Sequence, residues 1–103
     1  MRALSIALTV LAMALVGTAG AAEYVVVIDK MKFGPVPAEL HPGDVIIWQN
    51  KDIFRHTATA RDKAFDFDLP ARAEARMEIG ASGRIDVYCR FHPGMTTTLV
   101  IGP

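Results

Sequence analysis

The sequence contains one cysteine, Cys89, and therefore no internal disulfide. It also lacks an excess of charge of either sign, because 11 Lys and Arg residues balance 11 Asp and Glu residues. With no basic run and no acidic tail, the composition gives no indication of a nucleic acid or a charged membrane surface as a partner. A lone cysteine in an exported chain indicates either an intermolecular bridge or a functional thiol.

The first 22 residues have the pattern of a secretory signal peptide. A positive charge at the second residue precedes an uncharged apolar stretch over residues 3–16, and small residues follow up to Ala22. This stretch is shorter than the roughly 20 residues that span a bilayer. We therefore expect a signal peptide over residues 1–22, cleaved after Ala21 or Ala22, and one periplasmic domain over residues 23–103.

A domain of about 80 residues buries only a little over half of the surface that its unfolded chain exposes. Exported domains of this size usually add disulfides or a metal to a small core. Because one cysteine cannot form a disulfide within the chain, a bound metal is the option that the composition favours.

After residue 22 the sequence is typical of short strands joined by turns. Valine, isoleucine, threonine and aromatic residues recur in short runs, and proline or glycine separates several of them. Six to eight strands at this spacing predict a sandwich or a barrel. The segments with strand character are residues 23–33, 45–50, 56–60, 74–79, 84–89 and 96–101.

Two segments have a less regular strand pattern, and a third segment has an expected strand partner. Residues 34–44 hold three of the six prolines and are expected to form a loop, a short edge strand and a turn. Residues 71–77 are rich in alanine and follow Pro70, which suits one or two turns of helix as an alternative to a strand. Residues 56–60 alternate in polarity and are expected to pair beside residues 45–50.

The chemistry of the chain is concentrated in a C-x-x-H-x-x-M motif formed by Cys89, His92 and Met95. A thiolate, an imidazole and a thioether favour copper over magnesium, calcium or manganese, which prefer oxygen ligands. Two histidines and a cysteine with a long axial methionine form the blue-copper electron-transfer arrangement. This interpretation requires a second histidine near the end of a neighbouring strand.

His56 meets that requirement, because it follows a loop that leaves the buried strand over residues 45–50. Asn50 ends that strand six residues earlier. The third histidine, His41, lies in a turn and is expected to be solvent-exposed and structural. Each of these residues alone has an ordinary role in a core or a loop, and it is their joint spacing that favours a metal site.

The chain resembles the cupredoxins, the small blue-copper proteins of the plastocyanin, pseudoazurin and amicyanin group. The resemblance covers nearly all of residues 23–103 and rests on three motifs. These are the loose pattern P-x-E-L-x-x-G-D-x-I-x-W-x-N over residues 37–50, the dipeptide His56-Thr57, and Y-C-R-F-H-P-G-M over residues 88–95. The spacing of the last motif is most similar to that of amicyanin.

This resemblance implies an all-β, Greek-key sandwich of six to eight strands and a role as an electron carrier that is not an enzyme. It implies one mononuclear copper ion held by His56, Cys89, His92 and Met95, with Asn50 as a hydrogen-bonding brace of the ligand loop. His92 would transfer the electron, and Pro93, Gly94 and residues 35–37 would surround it. The implied partners are periplasmic redox proteins, such as a cytochrome, dehydrogenase or reductase, that dock transiently near His92 onto a monomer.

The sequence departs from the family at Arg55, Arg90, Phe91 and Gly94. Because these residues lie around the expected site, the family does not specify the surface on which a partner docks. Three other functions remain as alternatives. The first is a copper-binding module for storage or delivery, which would typically use an open site rich in methionine or histidine. The second is an enzyme with a Cys-His nucleophile pair, and the third is a metal-free sandwich used for adhesion or assembly.

Overall fold

A computed structural model describes residues 21–103 and shows two four-stranded β-sheets. The first sheet has the strand order β2-β1-β3-β6, and the second has the order β5-β4-β7-β8. The all-β sandwich predicted from the sequence is therefore confirmed, with eight strands. The strands are β1 (Glu23–Asp29), β2 (Lys32–Phe33), β3 (Val45–Asn50), β4 (His56–Ala60), β5 (Asp66–Leu69), β6 (Glu74–Glu78), β7 (Gly83–Tyr88) and β8 (Thr96–Ile101).

Strand β3 lies in the middle of the first sheet, parallel to β1 and antiparallel to β6. Its sequence VIIWQN is largely apolar because both edges of the strand are paired and most of its side chains are buried. Trp48 is fully buried and packs edge-on against Phe33 and at a tilt against Phe65. Phe33 lies in the same sheet as Trp48, whereas Phe65 directly precedes β5, so the contact between Trp48 and Phe65 links the two sheets.

Residues 23–33, which the sequence suggested as one strand, form a hairpin of β1 and β2 instead. Lys30 and Met31 both have positive φ angles, of 50° and 62°, and reverse the chain between Asp29 and Lys32. Two consecutive residues of this kind match the two-residue hairpin turn that usually contains asparagine and glycine. The turn was not recognisable from the sequence because neither residue is a usual turn former.

Strand β4 lies in the second sheet, between β5 and β7, and so the predicted pairing of residues 56–60 with residues 45–50 is wrong. The five residues between β3 and β4 carry the chain from one sheet to the other. The pairing of β4 with β7 is short and covers only Thr59 with Tyr88 and Ala60 with Val87. The two strands are therefore not paired at the end where β4 begins and β7 ends.

Residues 71–77 contain no helix, and the alternative of a helical turn there is wrong. Ala73 ends a turn in which its amide donates to the Pro70 carbonyl, and β6 follows directly. In β6 the exposed Arg76 alternates with the buried Met77, and pairing with β3 outweighs the helix propensity of alanine. The edge strand expected within residues 34–44 is reduced to an isolated bridge between Leu40 and Ile101.

The core lies between the sheets, and the end of the sandwich that carries the β3–β4 and β7–β8 loops also carries Cys89 and Met95. Over residues 21–103, no helix is long and apolar enough to cross a membrane. The signal peptide predicted for residues 1–22 lies, except for its last two residues, outside the part of the chain that the structure describes.

Candidate metal centre

Three side chains that can bind a metal converge at this end of the sandwich. His56 is the first residue of β4, Cys89 directly follows β7, and His92 lies in the loop between β7 and β8. Their ligand atoms all lie within 4.8 Å of one another. His56 and Cys89 are fully buried, whereas His92 is partly exposed.

The distances within this group suit a metal ion. The Cys89 sulfur lies 3.7 Å from Nδ1 of His56 and 3.7 Å from Nδ1 of His92. Bonds of about 2.3 Å from a thiolate and about 2.05 Å from an imidazole, meeting at about 120°, would place sulfur and nitrogen about 3.8 Å apart. The two imidazoles and the thiolate are therefore placed to hold one metal ion between them.

The short β4–β7 ladder makes room for this group. Thr57 is the second residue of β4, and its amide donates to the Cys89 sulfur over 3.4 Å. In a continuous ladder this amide would find a backbone carbonyl on the neighbouring strand. Here the strands have separated, and the sulfur takes the place of that acceptor, which fixes its position relative to His56.

Met95 closes the loop that carries Cys89 and His92. Its carbonyl accepts a hydrogen bond from the Cys89 amide at 3.1 Å, and its own amide donates to the His92 carbonyl at 2.8 Å. The Met95 side chain is buried in the same core cluster as Cys89. These bonds hold the three motif residues in one tight loop, with the thioether buried.

Asp52 orients the imidazole of His56 and was missed by the sequence analysis. Its carboxylate lies 2.8 Å from Nε2 of His56, and it also accepts the amides of Lys30 and Met31. The Met31 amide and then the His56 hydrogen bond hold the pKa of Asp52 below its ordinary value. Because an ionised carboxylate only accepts, Nε2 of His56 carries the proton and Nδ1 presents its lone pair to the metal group.

Asn50 is the last residue of β3, outside the His–Cys–His group, and it fastens the loop that leads to His56. Its side-chain nitrogen lies within hydrogen-bonding distance of the Phe54, Leu69 and Pro70 carbonyls, at 2.8, 3.0 and 3.2 Å. Its side-chain oxygen accepts the amide of Asp52 at 2.9 Å. Asn50 thus ties the β3–β4 loop to the end of β5, and it positions the residue that orients His56.

Of the remaining residues that the sequence singled out, His41 lies apart from the group, whereas Arg90 and Phe91 lie between two of its members. His41 is exposed, as the sequence predicted, and its backbone amide donates to Asp44 at 2.8 Å. Phe91 lies beside His92 and is 49% exposed, and the Arg90 guanidinium lies over its ring. The backbone amide of Arg90 turns inward and donates to the Thr57 hydroxyl at 2.9 Å.

Comparison with protein-family models finds no match for this chain, and comparison with curated protein sequences finds none either. Comparison with solved structures, in contrast, finds similar proteins. The crystal structure of amicyanin from Paracoccus versutus is 21% identical, with a TM-score of 0.65 over 80% of this chain and 81% of that chain. A reduced Cu(I) form of an amicyanin variant is 26% identical, with a TM-score of 0.61 over 81% and 83% of the two chains.

A copper-containing nitrite reductase from Thermus scotoductus is also similar, at 21% identity and a TM-score of 0.68. The match covers 79% of this chain but only 22% of the reductase, which is a much longer chain. The amicyanin matches, in contrast, extend over most of both chains. The protein therefore has the cupredoxin fold of amicyanin, with a His–Cys–His group placed to hold a metal ion.

Proposed function

We propose that this protein is an exported electron carrier with one mononuclear copper ion of the blue type. His56, Cys89 and His92 would bind the ion, and Met95 would add a thioether as a weaker fourth ligand. The observation that carries the proposal is the convergence of two imidazole nitrogens on one buried cysteine sulfur, each at 3.7 Å. This donor set is the one that blue-copper centres use, and the amicyanin structures with which the chain shares its fold include a Cu(I) form.

The residues around the group suit repeated electron transfer. A copper ion held there would supply a Cu(II)/Cu(I) couple. Cys89 provides a thiolate in a fully buried position, and His56 is held in one tautomer by Asp52. Because the ligands lie at the start of β4 and in the β7–β8 loop, within a hydrogen-bonded network, they would keep their positions when the charge at the centre changes.

A carrier fits these observations better than copper delivery or catalysis. Delivery requires an accessible site, whereas His56 and Cys89 are fully buried. The similarity to the nitrite reductase covers about one fifth of that enzyme, while the similarity to amicyanin covers four fifths of both chains. The signal-peptide pattern supports a periplasmic location, where a small carrier would exchange electrons with other redox proteins.

Docking would occur at the end of the sandwich that carries His92. Three of the large apolar side chains that the structure leaves exposed lie on loops next to the ligands. They are Ile53 and Phe54, before His56, and Phe91, before His92. A small apolar surface of this kind suits weak and rapid association, since transient redox complexes have small interfaces.

The proposal predicts that the purified protein, freed of metal and titrated with Cu(II) sulfate, develops one intense visible absorption band at one equivalent. The band arises from charge transfer between the Cys89 thiolate and the metal. Cys89→Ser should abolish the band, and His92→Gln should abolish or strongly shift it. His41→Gln is the matched control, because this histidine is exposed and outside the group, and it should leave the band unchanged.

A colourless titration of the native protein would refute the proposal. A coloured protein that loses its copper to a weak chelator within a few redox cycles would favour storage or delivery over electron transfer. Repeated oxidation and reduction monitored at the visible band distinguishes the two, since a carrier should retain the metal throughout.

A further inference from the structure

The outer face of the second sheet carries a closed chain of hydrogen bonds directly behind the metal group. Along β4, Thr57 and Thr59 alternate with His56, so they point to the opposite face of the sheet. Thr59 pairs with Asp66 of β5 across the strands. Although both threonines are on the outer face, they are buried, with 0% and 7% of their surface exposed.

The order of donors along this chain can be deduced. The Thr59 hydroxyl donates to the Asp66 carboxylate at 2.7 Å, and this bond is the main reason that the pKa of Asp66 is lowered. A hydroxyl has one proton. The 2.8 Å contact between the two threonine hydroxyls must therefore be a donation from Thr57 to Thr59.

The same logic continues to the residue next to Cys89. With its only proton directed to Thr59, the Thr57 hydroxyl is an acceptor on its other side, and the Arg90 amide donates to it at 2.9 Å. The chain closes because Nε of Arg90 donates to the same Asp66 oxygen at 3.1 Å. Arg90 is thus held at its backbone by Thr57 and at its side chain by Asp66.

This chain of hydrogen bonds holds the two residues that position the Cys89 sulfur. Arg90 directly follows Cys89, and Thr57 donates its amide to the sulfur at 3.4 Å. The β4–β7 ladder does not reach this point, and so these side-chain bonds replace backbone pairing there. Without the Asp66 carboxylate, the Thr59 hydroxyl would be free to donate its proton elsewhere. The hydrogen bonds at Thr57 and Arg90 would then lose their fixed direction.

We propose that Asp66 is a positioning residue for the metal centre, acting through Thr59 and Thr57 to hold the Thr57 amide against the Cys89 sulfur. The inference rests on the proposed function for its effect on copper, but the hydrogen-bond chain itself is independent of any metal. Asp66 touches no ligand and lies on the surface, so its role could not be recognised from the C-x-x-H-x-x-M motif.

Asp68 provides a matched control. It lies on the same strand, is exposed to a similar degree, and pairs with Arg55 as Asp66 pairs with Arg90. Asp66→Ala and Asp68→Ala therefore remove the same charge from neighbouring positions, but only the first removes the acceptor of Thr59. Thr59→Val breaks the chain without a change in charge, and Thr59→Ser restores the hydroxyl.

The first measurement is hydrogen exchange of the Thr57 and Arg90 amides in the metal-free protein. One lost hydrogen bond should accelerate exchange about threefold to tenfold in Asp66→Ala and Thr59→Val. Asp68→Ala and Thr59→Ser should remain within twofold of the native protein. Equal exchange in Asp66→Ala and Asp68→Ala would overturn the proposal.

The second measurement is the Cu(II)/Cu(I) equilibrium of the copper-loaded variants, together with the position of the visible band. The equilibrium constant should differ between Asp66→Ala and Asp68→Ala by about threefold or more, and Thr59→Val should shift it in the same direction as Asp66→Ala. Altered exchange without any change in this equilibrium would make the chain structural only and would also overturn the proposal. A native protein that binds no copper would refute the proposed function, whereas the exchange measurement would still test the chain.

Discussion

Asp52 is a carboxylate shared by the metal group and the β1–β2 turn. It accepts the backbone amides of Lys30 and Met31 and the Nε2 proton of His56. Carboxylates that hold a ligating histidine are typical of metal sites, and they fix both the tautomer and the ring orientation. One buried side chain therefore couples the conformation of a hairpin in the first sheet to a ligand in the second.

We expect Asp52→Asn to weaken copper binding about tenfold to a hundredfold, because the amide cannot replace a carboxylate that accepts three donors at once. Competition with a chelator of known affinity would measure the change. Asp29→Asn is the control, since Asp29 also accepts the Lys30 amide but does not touch His56. Equal affinities of the two variants would contradict the role assigned to Asp52.

The candidate ligands could be predicted at this scale because each has a distinctive side chain at a characteristic spacing. Cys89, His92 and Met95 lie within seven residues, and the blue-copper donor set requires a second histidine beside a strand, which His56 provides. Asp52 and Thr57 could not be found in this way. Aspartate and threonine are common in loops and strands, and their roles depend on contacts across the fold that the local sequence does not specify.

The hairpin between β1 and β2 has an unfavourable backbone conformation and contacts Asp52, the residue that orients His56. Lys30 and Met31 adopt positive φ angles that cost side-chain-bearing residues about 1–2 kcal/mol each. Asp52 offsets part of this cost by accepting both amides. The turn is therefore maintained by a contact from the β3–β4 loop in addition to the local hydrogen bond from the Lys30 amide to Asp29.

Lys30→Gly should stabilise the protein by about 1 kcal/mol, because glycine adopts positive φ without a steric penalty. Lys30 is exposed, so the change removes no core contact. Urea unfolding of the metal-free protein would measure it, with Lys32→Gly as the control for the same exchange in a strand, where it should destabilise. A destabilised Lys30→Gly protein would show that the turn carries no strain.

Strand boundaries were predictable where polarity alternates, and strand partners were not. Residues 84–89 were expected to bury Ile85, Val87 and Cys89 on one face, and the structure buries Val87 and Cys89 completely and Ile85 in part. In contrast, the placement of β4 beside β3 was wrong, because alternation indicates a strand but not the sheet to which it belongs. That choice depends on the loop between them, which Asn50 and Asp52 hold across the end of the sandwich.

At the scale of the whole molecule, most of the apolar core is separate from the metal group. The core contains buried side chains from both sheets, including Trp48, Leu69 and Leu99, and of the candidate ligands only Cys89 and Met95 belong to it. The three residues of the metal group all come from β4 and from the segment that follows β7 in the second sheet. The centre is thus placed at one end of a core that is already joined by apolar packing between the sheets.

This separation predicts that the protein stays folded without its metal, unlike small domains in which the ion supplies most of the folding free energy. The far-ultraviolet circular dichroism of the metal-free protein should keep its β-sheet signature and show cooperative thermal unfolding. Addition of copper should raise the melting temperature, since a ligand that binds only the native state stabilises it by about 2.7 kcal/mol at a hundred times its dissociation constant. Cys89→Ser should fold but lose most of this increase, because its hydroxyl cannot replace the buried thiolate as a ligand. A metal-free protein that is unfolded would show instead that the two sheets depend on the ion, and that the apolar core alone does not hold the sandwich together.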